Sequence, residues 1–400
     1  MKQPKPERME NKMRILIYTG KGGVGKTSIT AATGVKIARS GKKVLMMSTD
    51  QAHSLGDSLN MRIGGQPVHV ADNLDALEID PIEESEKAWG NLRDYIKEII
   101  SEKANGTLEA DEALMFPGLN ELFSLLRILD AYDSNRYDVI MVDCAPTGET
   151  LSLLRYPERL SVIDDKLLPS VRSMNNTFGG LIQRRTSVPK PRDQVFTEFD
   201  GLVKRLDRLQ QILRDRDVTS MRIVMTPERI VLDEARRNYT WINEFDFGAD
   251  AVYVNKIYPE EAMKGYFEGW ARMQEEGLKL ADESFGSCKV FRLGLQSSEL
   301  SGIDMLSSAA EQMYGDTDPS QVFSKEPAFT MEEEHGTRIM VIRLPYAQKD
   351  EIRLEKKGED LVLAVRNETR RFKLPDKVSR RRLTGWDFEG GRLRVRFDYD

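Results

Sequence analysis

Short apolar runs alternate with longer amphipathic stretches through the first three quarters of the chain. Arg14-Ile-Leu-Ile-Tyr18, Lys43-Val-Leu-Met-Met47, Tyr137-Asp-Val-Ile-Met-Val142, Met221-Arg-Ile-Val-Met225 and Ala251-Val-Tyr-Val254 are nearly continuous in apolar side chains, and Lys289-Val-Phe291 is a shorter candidate. Such runs belong to strands buried on both faces. With helical lengths between them, they predict an α/β body built on a mostly parallel, doubly wound sheet. Thr27 to Arg39 reads as a helix stopped by Ser40-Gly41. Helical insertions are expected at Glu84 to Lys103 and Gly118 to Ala131, and Leu202, Leu206, Leu209 and Leu213 mark one apolar helix face. Leu160 to Arg185 carries apolar residues beside Asn175-Asn176 and Gly179-Gly180, and Ser187 to Asp193, with Pro189 and Pro191, reads as loop.

From about Gln312 to Thr337 the chain turns polar and acidic, with Pro319, Pro327 and Glu332-Glu333-Glu334, which predicts a linker. Beyond it the period changes to two: Ile339, Val341 and Leu344; Ile352 and Leu354; Leu361, Leu363 and Val365; Phe372 and Leu374; Leu393, Val395 and Phe397. Turn signals at Lys357-Gly358-Glu359-Asp360 and Glu389-Gly390-Gly391 separate these runs, so a small all-β sandwich is expected. The predicted organisation is an N-terminal tail over 1–13, an α/β body over 14–311, a linker over 312–337 and a β body over 338–400.

Charge supports that division. The chain carries −6 overall, yet residues 338–400 hold 17 Lys and Arg against 11 Asp and Glu. The excess does not call for nucleic acid, because Arg392, Arg394 and Arg396 alternate with apolar residues as on a solvated sheet face. A composition 40% hydrophobic and 31% charged is that of an ordinary globular protein. No run approaches the roughly 18 apolar residues of a membrane span, and the polar start carries no apolar leader. Two cysteines, Cys144 and Cys288, and three histidines exclude a disulfide framework and a self-contained zinc site. The expectation is a reduced, cytoplasmic protein.

Gly20-Lys-Gly-Gly-Val-Gly-Lys-Thr27 fits G-x-x-x-x-G-K-[ST] and lies between a predicted strand and a predicted helix, the context that a P-loop requires. Gly20, Gly22, Gly23 and Gly25, with Val24 between them, let backbone N–H groups close around phosphate oxygens. The helix N-terminus at Lys26, Thr27 and Ser28 adds partial positive charge. Lys26 reaches the β- and γ-phosphates and the Thr27 hydroxyl suits Mg²⁺. ATP and Mg²⁺ are the cofactors expected.

Lys21, directly after the first glycine, resembles the deviant P-loop of one NTPase class, where this lysine crosses a dimer interface to the partner's nucleotide. Ser48-Thr-Asp-Gln-Ala-His-Ser-Leu-Gly-Asp57 and Asp143-Cys-Ala-Pro-Thr-Gly-Glu-Thr-Leu151 resemble the switch I and switch II segments of the arsenical-pump and guided-entry ATPases. That family includes dimers that target tail-anchored membrane proteins. The resemblance spans roughly residues 14–310. It implies that Asp57 orients the attacking water, that Lys21 and Lys26 act on the phosphates, that Asp50 and Asp143 hold the Mg²⁺ shell through water, and that Asn255 contacts adenine. Gln51, Cys144 and Glu149 depart from its pattern, and its zinc-clamping Cys-x-x-Cys is absent. Ile342-Arg-Leu-Pro345, Asp350-Glu-Ile352, Arg371-Phe-Lys-Leu-Pro375 and Gly391-Arg-Leu-Arg-Val395 resemble the α-crystallin domain of small heat-shock proteins.

These resemblances imply an ATP-hydrolysing homodimer that shields hydrophobic helical segments of client proteins. The stretches at 118–131 and 160–185 are the candidate client surface, a membrane receptor is a further partner, and neither nucleic acid nor stable membrane insertion is expected. An anion-pump driver and a nucleotide-locked scaffold are the alternatives.

Overall fold

The computed structural model describes residues 13–49, 54–84, 86–87, 119–144, 193–286, 288–344, 347–365 and 368–399. Two compact units divide the chain: one comprises Met1–Glu78, Asn135–Ala145 and Leu213–Asp400, the other Ile79–Ser134 and Pro146–Ile212.

Among the described residues, eight strands of the first unit form one sheet in the order β3-β4-β2-β5-β1-β6-β7-β8. They are β1 (Arg14–Thr19), β2 (Val44–Ser48), β3 (Val68–Ala71), β4 (Leu74–Glu78), β5 (Val139–Asp143), β6 (Thr219–Met225), β7 (Ala249–Ile257) and β8 (Lys289–Gly294). All neighbours pair in parallel except the β3–β4 hairpin. The apolar runs become the interior strands: every residue of β1, β2, β5 and β6 is buried. Helix α1 (Lys26–Arg39) connects β1 towards β2 and α2 (Ser54–Leu59) follows β2. The sheet grows one way through β1–α1–β2 and the other way from β6 to β7. Right-handed crossovers therefore put the two connections on opposite faces, and the strand order switches beside β1. The β3–β4 hairpin was not foreseen; β3 is only half-buried and too short for its alternation to stand out.

In the second unit, α3 (Leu119–Asp133) and α4 (Asp193–Arg214) are joined by ion pairs Arg205–Asp130 at 2.9 Å and Arg208–Asp133 at 2.6 Å. Leu206 and Leu209 are buried, as the leucine spacing predicts, while Leu202 is half-buried. Phe123, Leu125, Leu126, Ile128 and Leu129 are buried too. Over its described side chains, 123–131, the expected client stretch is mostly core packing; its first residues, 118–122, and the 160–185 stretch lie outside those described.

Back in the first unit, α5 (Arg229–Glu244) links β6 to β7, and α6 (Glu268–Ser284) and α7 (Ile303–Tyr314) flank β8. The 312–337 segment differs from the expected linker. It holds the end of α7 and a strand, β9 (Thr330–Glu334), that pairs antiparallel with β10 (Thr337–Arg343). The acidic triplet reads as linker by composition, but Glu332 and Glu334 face Arg394 at 2.7 and 2.6 Å. The intervening 318–323 is pinned to the sheet: Arg14 Nε donates to Ser320 O at 3.0 Å, and Arg222 Nη1 to Pro319 O at 2.8 Å.

The β body contains β11 (Ile352–Lys357), β12 (Asp360–Val365), β13 (Glu368–Lys373), β14 (Arg382–Glu389) and β15 (Arg392–Asp398). Sheets of order β14-β15-β10-β9 and β11-β12-β13 enclose a core of Met340, Ile342, Leu361, Leu363, Leu393, Val395 and Phe397, among others. On β10 the core residues are Met340 and Ile342, the opposite parity from the expected Ile339 and Val341. All four are buried, so no alternation marks the inner face. Arg394 and Arg396 lie in ion pairs with Glu332, Glu334 and Asp387, as a solvated face should.

Helix α5 joins the two bodies. Glu234 and Asn238, one turn apart, face the loop after β1: Lys21 Nζ lies 3.5 Å from Glu234, and Asn238 Nδ2 donates to Thr19 Oγ1 at 2.9 Å. Residues 236, 240 and 243 lie on another stripe. There Arg236 pairs with Asp360 at 2.9 Å, Thr240 Oγ1 donates to Lys373 O at 2.6 Å, and Asn243 Oδ1 accepts from Ala328 N at 2.9 Å.

Candidate active site

The C-terminal ends of β1, β2 and β5 meet at the strand-order switch, where open α/β sheets bind ligands. Tyr18 and Ser48 are both in register with Asp143. Thr49 N donates to Asp143 O, and Cys144 N to Tyr18 O, each at 3.1 Å. Asp143 is thereby held, 2% exposed, between the loop strand and the strand that leads to switch I.

The loop from Gly20 to Gly25 turns from β1 into α1. A Cβ on Gly20 would stand 2.1 Å from Val224 O, so the loop can lie this close to β6 only without a side chain. Gly25 takes φ 89° as the N-cap of α1, a left-handed conformation natural to glycine. Nothing within 4 Å would meet a side chain on Gly22 or Gly23, so this rim of the loop is open, while Val24 is buried beneath it. No side chain caps α1, and no acidic residue occupies its first turn. The N–H groups around Lys26, Thr27 and Ser28 thus form an uncontested anion site.

Lys26 Nζ donates to Lys21 O at 3.3 Å, folding the lysine over the loop. Thr27 Oγ1 and Ser54 Oγ lie 3.0 Å apart, which ties the loop helix to α2. Gly56 N donates to the buried Glu78 Oε1 at 2.9 Å, and Ser301 Oγ to Asp57 O at 3.2 Å. Asp57 itself is exposed on the first turn of α2, a carboxylate on a braced helix and open to solvent. Asp50 and Gln51 lie outside the described residues, as does Glu149. Asn255 is 5% exposed on β7. Its Nδ2 donates to Val24 O at 2.9 Å and its Oδ1 accepts from Lys256 N at 2.8 Å. The resemblance implies a contact with adenine, and the geometry adds a second task, bracing the loop.

Four residues at the site were given no role in the sequence reading: Ser54, Glu234, Asn238 and Lys256, the last standing directly beside Asn255. Ser54 stands inside the switch I segment and could have been found there. The other three sit about 200 residues from the loop in unpatterned positions.

A glycine cradle open to solvent, an uncapped helix N-terminus and a carboxylate at the adjoining strand end can hold a nucleoside triphosphate and act on it. The comparison with known proteins agrees. Residues 13–315 match the anion-transporting ATPases. The chain belongs to that family, and it is an ATPase. Residues 335–397 match the HSP20-like domain found in ArsA. A protein of Aquifex aeolicus, provisionally named arsenical pump-driving ATPase 1, is 34% identical over 376 residues, covering 92% of this chain and 95% of its own. ATPase ASNA1 homolog 2 of Paramecium tetraurelia is 28% identical over 305 residues, covering 75% and 93%. ATPase get3 of Pyrenophora tritici-repentis is 27% identical over 319 residues, covering 75% and 91%. Among the described residues, no helix of this ATPase is long and apolar enough to cross a membrane.

Proposed function

We propose that this ATPase is a Mg²⁺-dependent homodimeric switch of the cytoplasm that binds and shields hydrophobic helical segments of client membrane proteins. The observation that carries the reading is Lys21. Its side chain is 40% exposed and pairs loosely with Glu234 at 3.5 Å, so its ammonium is free to be drawn to the nucleotide of a second copy. An exposed pair of this kind is worth at most about 1 kcal/mol, a small cost to give up. One P-loop per chain and one outward lysine fit a site that two protomers complete together.

The residues suit a magnesium nucleotide. Thr27 and Asp143 offer hydroxyl and carboxylate oxygens, the hard donors that Mg²⁺ prefers, and phosphate and water oxygens complete such shells. Among the described residues no cluster of three His, Cys, Asp or Glu side chains competes as a metal cage. When bound, the metal neutralises charge on the phosphates. Lys26 and the loop N–H groups hold the phosphoryl oxygens, and Asp57, once closure carries α2 inward, orients and polarises the attacking water. Positioning and electrostatics supply the catalysis.

The name of the Aquifex relative favours a second reading, a subunit that drives an arsenite-like pump. Arsenite is held by converging thiols. Cys144 is buried after β5 and Cys288 precedes β8. Three strands lie between β5 and β8, which makes four inter-strand steps, roughly 19 Å at about 4.8 Å per step, so the two thiols cannot share one arsenic atom. Stimulation of turnover by arsenite would restore this reading.

The deciding experiment uses Asp57→Asn, which should keep ATP binding and lose turnover by orders of magnitude. The variant is purified in Mg-ATP after co-expression with a protein ending in a single hydrophobic helix, beside a copy whose helix is scrambled to polar residues. Helix-dependent co-purification with a dimer supports the proposal. ATP-bound protein that captures neither refutes the client role.

A further inference from the structure

We infer that Asn255 and Lys256 lock two peptide planes of the P-loop, and thereby hold the N–H groups of Val24 and Gly25 toward the nucleotide phosphates. The argument is one of backbone geometry. In a trans peptide, the C=O of one residue and the N–H of the next point in opposite directions. Lys256 Nζ donates to the carbonyl of Gly23 at 2.8 Å, and Asn255 Nδ2 to the carbonyl of Val24 at 2.9 Å. With both carbonyls held toward the end of β7, the next N–H groups, those of Val24 and Gly25, face the opposite, concave side of the loop. A plane flipped the other way would present a carbonyl oxygen to a polyanion, replacing an attraction with a repulsion.

The end of β7 is shaped for this task. Lys256 takes φ 56°, a left-handed conformation that a residue with a side chain adopts at a cost. The pairing of β7 with β8 shifts register between Val254 and Ile257, so Lys256 sits at an irregularity of the ladder. Its N–H is taken by Asn255 Oδ1 at 2.8 Å, which turns the amide so that Nδ2 faces the loop. The fit is close: a Cβ on Gly25 would come within 2.4 Å of Asn255 Nδ2. Both are positioning residues, since they act on the phosphates through the loop and need not touch them. The assignment rests on the P-loop as the phosphate site and on neither the dimer nor the client.

The test separates this role from a contact with the base. Lys256 is exposed, so Lys256→Ala can be made without disturbing the core. Affinities for Mg-ATP and for Mg-tripolyphosphate, which has no base, are measured by displacement of a fluorescent ATP analogue. Hydrogen exchange of the peptide spanning residues 19–28 is followed with and without ATP. Loss of one hydrogen bond to a charged donor predicts about a tenfold weakening of both ligands, less ATP-induced protection of the loop peptide, and recovery of both in Lys256→Arg. Weakened ATP with unchanged loop protection, unchanged affinity for both ligands, or an Arg variant as impaired as the Ala variant would each overturn the assignment.

Discussion

Asp250→Asn should cost this ATPase about 3–5 kcal/mol of stability, the range for removing one partner of a buried ion pair. Asp250 is 1% exposed and receives Arg222 Nε at 3.1 Å, Ser220 Oγ at 2.8 Å and Phe323 N at 3.2 Å, with Arg14 at 4.0 Å. Burial acts to push the Arg222 guanidinium down, but Asp250, together with Tyr253, Tyr18 and Tyr314, outweighs it and holds the group well above its ordinary value. The asparagine keeps the shape and removes the charge, leaving the buried Arg222 guanidinium without its counter-ion and Arg14 with only Asp217 and Asp215. Burial already brings Arg14 down to about 10, with Arg222 adding to the effect and Asp250 opposing it. The damage should centre on the segment the pair anchors, so hydrogen exchange over residues 316–326 should rise first. Urea unfolding followed by circular dichroism reads the rest. In the double variant Arg222→Met/Asp250→Leu, the loss should fall short of the sum of the single losses by about 0.5–3 kcal/mol. An Asp250→Asn protein within 1 kcal/mol of wild type, or strict additivity, would show that the two charges do not depend on one another.

Two further outcomes are expected. Lys21→Ala should fold normally, lose ATP-dependent dimerisation in light scattering and turn over at least about tenfold more slowly, as loss of an in-trans cation demands; a monomer hydrolysing ATP at the normal rate would remove the shared-site argument. At Asp318 burial acts to raise the carboxyl, but hydrogen bonds from Lys42 and Ser320 outweigh it and hold the group below its ordinary value. Its stabilisation is therefore complete above the ordinary carboxylate range and lost as pH falls through the lowered value. Asp318→Asn should be less stable than wild type at neutral pH and should match it in strong acid; a constant gap across acid unfolding would contradict the sign.

Interior strands were legible because burial on both faces forces unbroken apolar runs, as in Ile15 to Tyr18. The same physics hid the inner face of β10, where Ile339 to Ile342 are all buried and no alternation survives. Strand β14 was missed because Arg382–Glu389 is mostly half-buried or exposed and breaks register between Leu383 and Gly385. Strand β9 was missed because its pairing rests on ion pairs with distant arginines rather than on an apolar pattern. At the site, the P-loop was readable since its chemistry is contiguous in sequence. Asn238 and Lys256 reach it across more than 200 positions, and no local spacing records that approach.

Helix α5 also has a consequence for synthesis of the chain. Arg236 is 4% exposed, and its partner Asp360 is made 124 residues later. At ribosomal rates of roughly 5–20 residues per second, that is a wait of roughly 6–25 s. During the wait, the stripe of α5 meant for Asp360, Lys373 and Ala328 has nothing to cover it, while the stripe bearing Glu234 and Asn238 already has its loop. A nascent chain can therefore hold a P-loop before the helix behind it is secured. The order of manufacture makes segments synthesised well after α5 the ones that finish the mounting of the nucleotide loop.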